Sequence, residues 1–390
     1  MAVDTHRENA IVSGPRIVRT TMNALRTRAS RLRGCLCCLP QATSSAIPRR
    51  KFLAGMAATG VAALTSAPSV RPARAETRRL IDVHSHMAPP FYVAENRDRI
   101  AGSRGGQVSR PWLEWSPQQS LAAMDEHGVE ISMLSLSTPG IWFGNAEEAR
   151  ATARRVNEYG AELVRSHPGR FGLFAAIPLP DTEGSLREIE YAFDTLKADG
   201  IGLLTSYGDK WLGDSAYAPV LEELNRRKAL VFVHPTTPNC CRALVPDISP
   251  LMTEVPQDTT RTIVSLLFSG TLTRLKDIRF IFSHAGGTMP VMAARMTQYG
   301  PKNLAEVLPQ GVEYELKRLY YDIAVSGYRP AVAALTGLIP MSQILFGSDF
   351  PYRPLGDSAD TMAQLGLSQS DLAAIGRGNA LGILPRLKSG

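Results

Sequence analysis

The sequence has 390 residues, 44% hydrophobic and 20% charged, so a folded core is expected and wholesale disorder is excluded. That length suits one α/β barrel with extensions, or two ordinary domains. The net charge of +7 is unevenly spread: residues 1–75 hold 12 Lys/Arg against Asp4 and Glu8, while the remainder holds 31 basic and 34 acidic residues. The body of the chain is mildly acidic and gives no argument for a nucleic-acid partner.

Residues 1–75 read as a leader. Pro48-Arg49-Arg50-Lys51-Phe52-Leu53 resembles the twin-arginine export signal, and an uncharged stretch rich in Ala, Gly and Thr follows over 52–70. Ala73-Arg74-Ala75 then offers small residues at the two positions a signal peptidase reads. The expectation is export through the twin-arginine translocation machinery, cleavage near Ala75, and a periplasmic or extracellular chain of 76–390. A membrane anchor fits less well, because Gly, Ala, Thr and Ser transfer weakly into lipid and Pro68 interrupts the stretch. Residues 1–44 show no apolar periodicity; a long n-region and a downstream translation start both account for them. Three of the five cysteines, Cys35, Cys37 and Cys38, lie in this leader. The other two, Cys240 and Cys241, are neighbours and read as loop thiols, not as a disulfide framework.

Beyond residue 78, short apolar or β-branched runs alternate with longer stretches of helical period. The runs cover 80–84, 131–137, 171–177, 200–206, 229–234, 279–284, 319–324 and 343–348. Amphipathic stretches lie between them at 147–167, 183–199, 214–227 and 259–275. The runs are apolar nearly throughout, as parallel strands buried on both faces should be. Eight such repeats predict a single (β/α)8 barrel over 76–390. A doubly wound open sheet is disfavoured, because no Gly-rich phosphate loop follows the first strand. Residues 88–118, with several Gly, Pro and Trp, read as a long loop inserted after strand one that covers the barrel mouth.

The ends of the strands then matter most, since a barrel builds its site at their C-terminal face. Strand one ends in Asp82-Val83-His84-Ser85-His86, strand five in His234-Pro235, strand six in Ser283-His284-Ala285-Gly286-Gly287, and strand eight in Gly347-Ser348-Asp349-Phe350-Pro351. A His-x-His spacing on a strand puts both imidazoles on one face. Imidazoles together with a carboxylate suit Zn²⁺ or a similar divalent ion. A single His at such a position is most simply a satisfied core residue. Here four of the seven histidines fall at strand ends, and chance placement does not account for that.

From about residue 79 to 382 the chain resembles the amidohydrolase superfamily. Within it, the similarity is to the branch of aminocarboxymuconate-semialdehyde, resorcylate and 6-methylsalicylate decarboxylases. The Asp82-Val83-His84-Ser85-His86 start, His234-Pro235, Ser283-His284-Ala285-Gly286-Gly287 and Leu345-Phe346-Gly347-Ser348-Asp349-Phe350-Pro351 carry the resemblance. It implies His84, His86, His234 and Asp349 as metal ligands, with His284 beside the metal as acid/base. It also implies a homodimer in which Arg295 crosses to the neighbouring site and holds a substrate carboxylate. The bland alternative for Arg295 is a surface residue pairing with an acid. Binuclear hydrolases of the superfamily place a carboxylated Lys at the end of strand four. Here that strand ends in Leu204-Thr205-Ser206 and the nearest candidate, Lys210, reads as a loop residue, so one metal is expected.

The resemblance implies non-oxidative decarboxylation of a small aromatic or unsaturated acid such as a hydroxybenzoate. The ion, zinc by expectation with manganese fitting the same ligands, would hold the carboxylate and phenolic oxygen while Asp349 or His284 supplies a proton. The alternative is a mononuclear hydrolase of a lactone or amide that uses an activated water. A metal-free binding module would require the whole constellation to be vestigial. Trp112, Trp115, Trp142 and Phe143 fall in expected mouth loops, where aromatic faces would suit a flat acid; loops packed on themselves would look the same.

Overall fold

The computed structural model describes residues 79–103, 109–241, 244–245 and 247–388; the expected signal and cleavage position lie outside the described residues. Eight strands pair in sequence order, all parallel. They are β1 (Leu80–Met87), β2 (Val129–Leu136), β3 (Phe171–Ala176), β4 (Gly200–Leu204), β5 (Leu230–His234), β6 (Arg279–Phe282), β7 (Tyr320–Asp322) and β8 (Ile344–Leu345). The barrel closes through the segment after β8: Val83 N–H donates to Phe346 O, Asp349 N–H to His84 O and His86 N–H to Phe350 O. This is the expected (β/α)8 barrel.

Its interior is filled by Ile81, Val83, Phe174, Phe232, Ile281 and Leu345, and Ala380, Ile383 and Leu384 close the end opposite the site. Phe174 stacks on Phe232 at 5.4 Å, and each such ring contributes about 1.5–3 kcal/mol on burial. A larger apolar layer separates the strands from the surrounding helices.

The segment after β1 differs from the expected loop. It forms α1 (Pro90–Ser103) and α2 (Arg110–Leu113), and leads into α3 (Pro117–His127). Pro90, Pro111 and Pro117 each stand in the first turn of a helix, where the missing N–H costs nothing. Ser116 and Gln119 complete a capping box on α3. Trp112 and Trp115 are accordingly buried: Trp112 stacks on Tyr352, and Trp115 Nε1–H donates to Ser120.

Further helices are α4 (Ala146–Ser166), α5 (Thr182–Glu190), α6 (Ala218–Arg226), α7 (Pro250–Phe268) and α8 (Met289–Gln298). α7 begins well before the expected 259, capped by Ser249, and carries Pro256 inside it. Between β4 and α6 a short antiparallel hairpin holds Lys210, exposed and 3.6 Å from Asp214.

Candidate metal centre

The strand ends converge on one cluster. His84 and His86 come from β1, His234 ends β5, and Asp349 follows β8. One ligand atom from each of the four lies within 4.8 Å of every other. Pairing of β1 with β2 slips by one residue between Asp82 and Ser85. That bulge lets Val83 stay in the apolar interior while the next residue, His84, also faces inward, with its ring 5.0 Å from Phe232. Buried Asp82 fastens the bulge to strand eight's extension: it accepts from the backbone N–H of His84 and Ser348 and from the Ser348 hydroxyl. Burial pushes the Asp82 carboxyl up to about 7, against the pull of these donors.

His84 Nε2 stands 3.2 Å from His86 Nε2 and 3.3 Å from Asp349 Oδ1; His86 Nε2 is 3.1 Å and His234 Nε2 4.0 Å from the same oxygen. A tetrahedral ion with bonds of about 2.0–2.1 Å has its ligand atoms about 3.3 Å apart, so the donor set fits a small divalent cation. His284 Nε2 faces the other carboxylate oxygen, Asp349 Oδ2, at 3.7 Å. The two rings nearest β1 are oriented from behind: Asp322 meets His84 Nδ1 at 2.9 Å and Ser135 meets His86 Nδ1 at 3.0 Å.

By contrast, both ring nitrogens of His234 and of His284 are buried with no hydrogen-bond partner among the described residues. An unanswered buried polar atom costs about 1–3 kcal/mol, so four of them together point to a bound group. The electrostatics agree. Burial opposes charge on His84, but the carboxylates of Asp322 and Asp349 outweigh it and lift the ring to about 10. Burial, with His86 and His84 alongside, holds His234 well below its ordinary value, in the neutral form a ligand needs. Burial would raise Asp349, yet His284, His84 and His86 hold it well below the usual carboxylate range.

Backbone strain is concentrated here. His284, Ala285, Gly286 and Gly287 have consecutive positive φ of 55°, 57°, 74° and 68°, and Asp349 has φ 65°. For a residue with a Cβ this costs about 1–2 kcal/mol, and such strain clusters at working sites.

The cluster lies at the floor of a cavity of about 910 Å³ whose walls are mainly apolar, with Leu251, Val255, Pro290 and Val325 among them; Tyr328 and Tyr352 are its aromatic faces. Trp142 and Phe143 are half-buried and do not line it; Arg99 of α1 covers the Phe143 ring at 4.7 Å. Arg295, on α8, is exposed, with its guanidinium 5.0 Å from the Tyr299 ring, and does not line the cavity either. Cys240 is exposed and Cys241 buried, both free thiols with sulfurs 2.7 Å apart.

Asp322, Ser135 and Tyr352 belong to none of the strand-end motifs. Asp322 leaves one signal, a carboxylate in the apolar run 319–324, while Ser135 within β2 and Tyr352 in the turn beyond β8 leave none.

The chain is similar to known proteins in sequence and in fold. A decarboxylase of Aspergillus niger, yanB, is 39% identical over 292 residues, covering 70% of this chain and 78% of its own. The 6-methylsalicylic acid decarboxylase of Penicillium expansum is 35% identical over 318 residues, covering 79% and 97%. The solved structure of an amidohydrolase II is 27% identical, superposes with a TM-score of 0.72, and covers 78% of this chain and 99% of its own. Residues 81–386 match the family model Amidohydro_2, described as amidohydrolase, and with the sequence relatives this places the chain in that amidohydrolase family.

Proposed function

We propose that the protein is a metal-dependent, non-oxidative decarboxylase of a small hydroxylated aromatic acid of the salicylate kind. The observation that carries the reading is the pairing of a three-His, one-Asp cluster with His284 on the floor of a mainly apolar cavity. Its support from relatives is the 35% identity to a 6-methylsalicylic acid decarboxylase along nearly all of that enzyme. His84, His86, His234 and Asp349 would hold one divalent ion, zinc in this reading. When bound, the ion supplies the positive charge that draws in a carboxylate and a neighbouring phenolic oxygen.

The remaining work falls to the chain. The apolar walls exclude water and favour a flat ring. The His284–Asp349 pair delivers a proton to the ring carbon that bears the carboxylate; the C–C bond then breaks, its electron pair returns to the ring, and CO₂ leaves. A well-placed proton donor of this kind is worth about 10²–10⁴ in rate.

A second copy of the chain completes the site in this reading. Leu251, Met252, Val291, Val325 and Tyr328 line the cavity and are all more than half exposed, a rim suited to cover by protein. Val291 and Arg295 lie four residues apart on α8 and share a face. A copy docked through that face would bring an Arg to the substrate carboxylate, which a guanidinium holds bidentately.

The test is to incubate full-length protein, loaded separately with zinc and with manganese, with hydroxybenzoic acids and lactones. Released CO₂ and ring-opened acid are followed independently. CO₂ without ring opening is expected, with zinc sufficient. Ring opening without CO₂ would replace the reading by a hydrolase, and turnover with manganese alone would remove zinc.

A further inference from the structure

We infer that Asp322 is a positioning residue: its one carboxylate orients His84 within the cluster and anchors the left-handed turn that presents His284. The inference rests on the metal-dependent reading above and adds a residue to it. Asp322 ends β7 and is fully buried. Its two oxygens divide the work. Oδ2 lies 2.9 Å from His84 Nδ1, while Oδ1 accepts the backbone N–H of His284 at 3.1 Å and of Ala324 at 2.9 Å.

A carboxylate within such a ring of donors accepts and does not donate, so the proton of that contact sits on His84 Nδ1. When a cation takes the place of the second ring proton, the Nε2 lone pair is thereby left to it, on the side shared with His86 Nε2 and Asp349 Oδ1. Ser135 does the corresponding work for His86: its hydroxyl donates to Ser85 O and so accepts from the ring. Asp322 alone also reaches the His284 turn. There it holds the first N–H of four consecutive residues with positive φ, a conformation that His284 and Ala285 would not keep unaided. The carboxylate has little room to swing, because Gly347 passes so close that an added Cβ would stand 2.8 Å from His84 Cβ and 3.0 Å from Asp322 Cβ.

Asp322→Asn tests this at constant size. The amide keeps an oxygen for the two backbone N–H groups but turns an NH₂ towards His84, so two donors face each other. Zinc affinity, read by competition with a chromogenic chelator, is expected to fall about 10–100-fold, the usual effect of losing such a partner behind a ligating His. Glu188→Gln is the control: Glu188 is likewise buried, bound by Arg154 and Asn157, and among the described residues neither partner touches the cluster. That variant should keep wild-type zinc affinity whatever it costs in stability. Loss within threefold of wild type for Asp322→Asn, or an equal loss in Glu188→Gln, would overturn the inference.

A measurement on the wild type keeps the inference open to refutation if Asp322→Asn fails to fold. With ¹⁵N-labelled histidine in the zinc-loaded protein, His84 should carry its proton on Nδ1. A proton on Nε2, with zinc bound, would sink it. Wild-type protein that takes up no zinc would instead count against the metal-dependent reading itself.

Discussion

Two histidines that look interchangeable along the chain, His234 and His284, stand differently at this floor. His234 turns its Nε2 towards Asp349 Oδ1, the oxygen shared with His84 and His86, whereas His284 addresses Oδ2 alone. His234→Ala is therefore expected to lose stoichiometric metal. His284→Ala should keep the metal and lose about 10²–10⁴ in kcat, the worth of a positioned proton donor. Elemental analysis beside single-turnover rates separates the two, and the opposite pattern would exchange the roles. The His84-x-His86 pair was legible because side chains on a strand repeat every two residues, and the bulge leaves that spacing intact beyond Val83. What stands behind the ligands was not legible. Ser135 and Asp322 are selected by distance across neighbouring strands, and a one-dimensional pattern carries no such distance. Trp142 and Phe143 illustrate the converse: aromatic residues at a loop tip signal a hydrophobic contact without saying with which surface, and Phe143 makes its contact with Arg99 of α1.

At the scale of elements, the strands could be read because both faces of a parallel barrel strand are covered and the sequence stays apolar throughout. The run for strand eight outlasts the paired segment β8 (Ile344–Leu345), because the chain goes on bonding to β1 beyond the ladder and so reaches Asp349. Helices opened by proline were harder, since proline reads the same in a loop and in a first turn. α7 was the most difficult: its first half, including Pro256, packs against the turn after β6 instead of repeating an apolar stripe. That contact is testable. A Cβ added to Gly287, at φ +68°, would stand 2.0 Å from Pro256 O, whereas one added to Gly311, at φ +85°, meets nothing within 4 Å. Gly311→Ala should cost about 1–3 kcal/mol, the penalty alone for a backbone at φ 85° and ψ 166°. Gly287→Ala should cost about 3 kcal/mol or more, because either α7 or the His284 turn must move. Urea unfolding of both variants measures the difference, and equal losses would show that the close approach carries no energy.

At the scale of the whole molecule, the question is whether one chain makes a complete site. Among the described residues that line the cavity, the charged nitrogen able to meet a carboxylate is on Arg353, which is exposed and already bound to Asp357 at 2.8 Å. Arg295, by contrast, has its guanidinium over the Tyr299 ring on an exposed face that continues from the cavity wall through Val291. Isologous pairing of two copies is self-complementary, so an Arg given to the partner's site is matched by one received. The consequence can be measured by co-producing His284→Ala and Arg295→Ala chains with different affinity tags and isolating the doubly tagged dimer. In that dimer, one site lacks both groups and the other has both, so about half of wild-type activity per dimer should return although each parent is inactive. Dimers that carry both tags and stay inactive would confine Arg295 to its own chain, as a surface residue on α8.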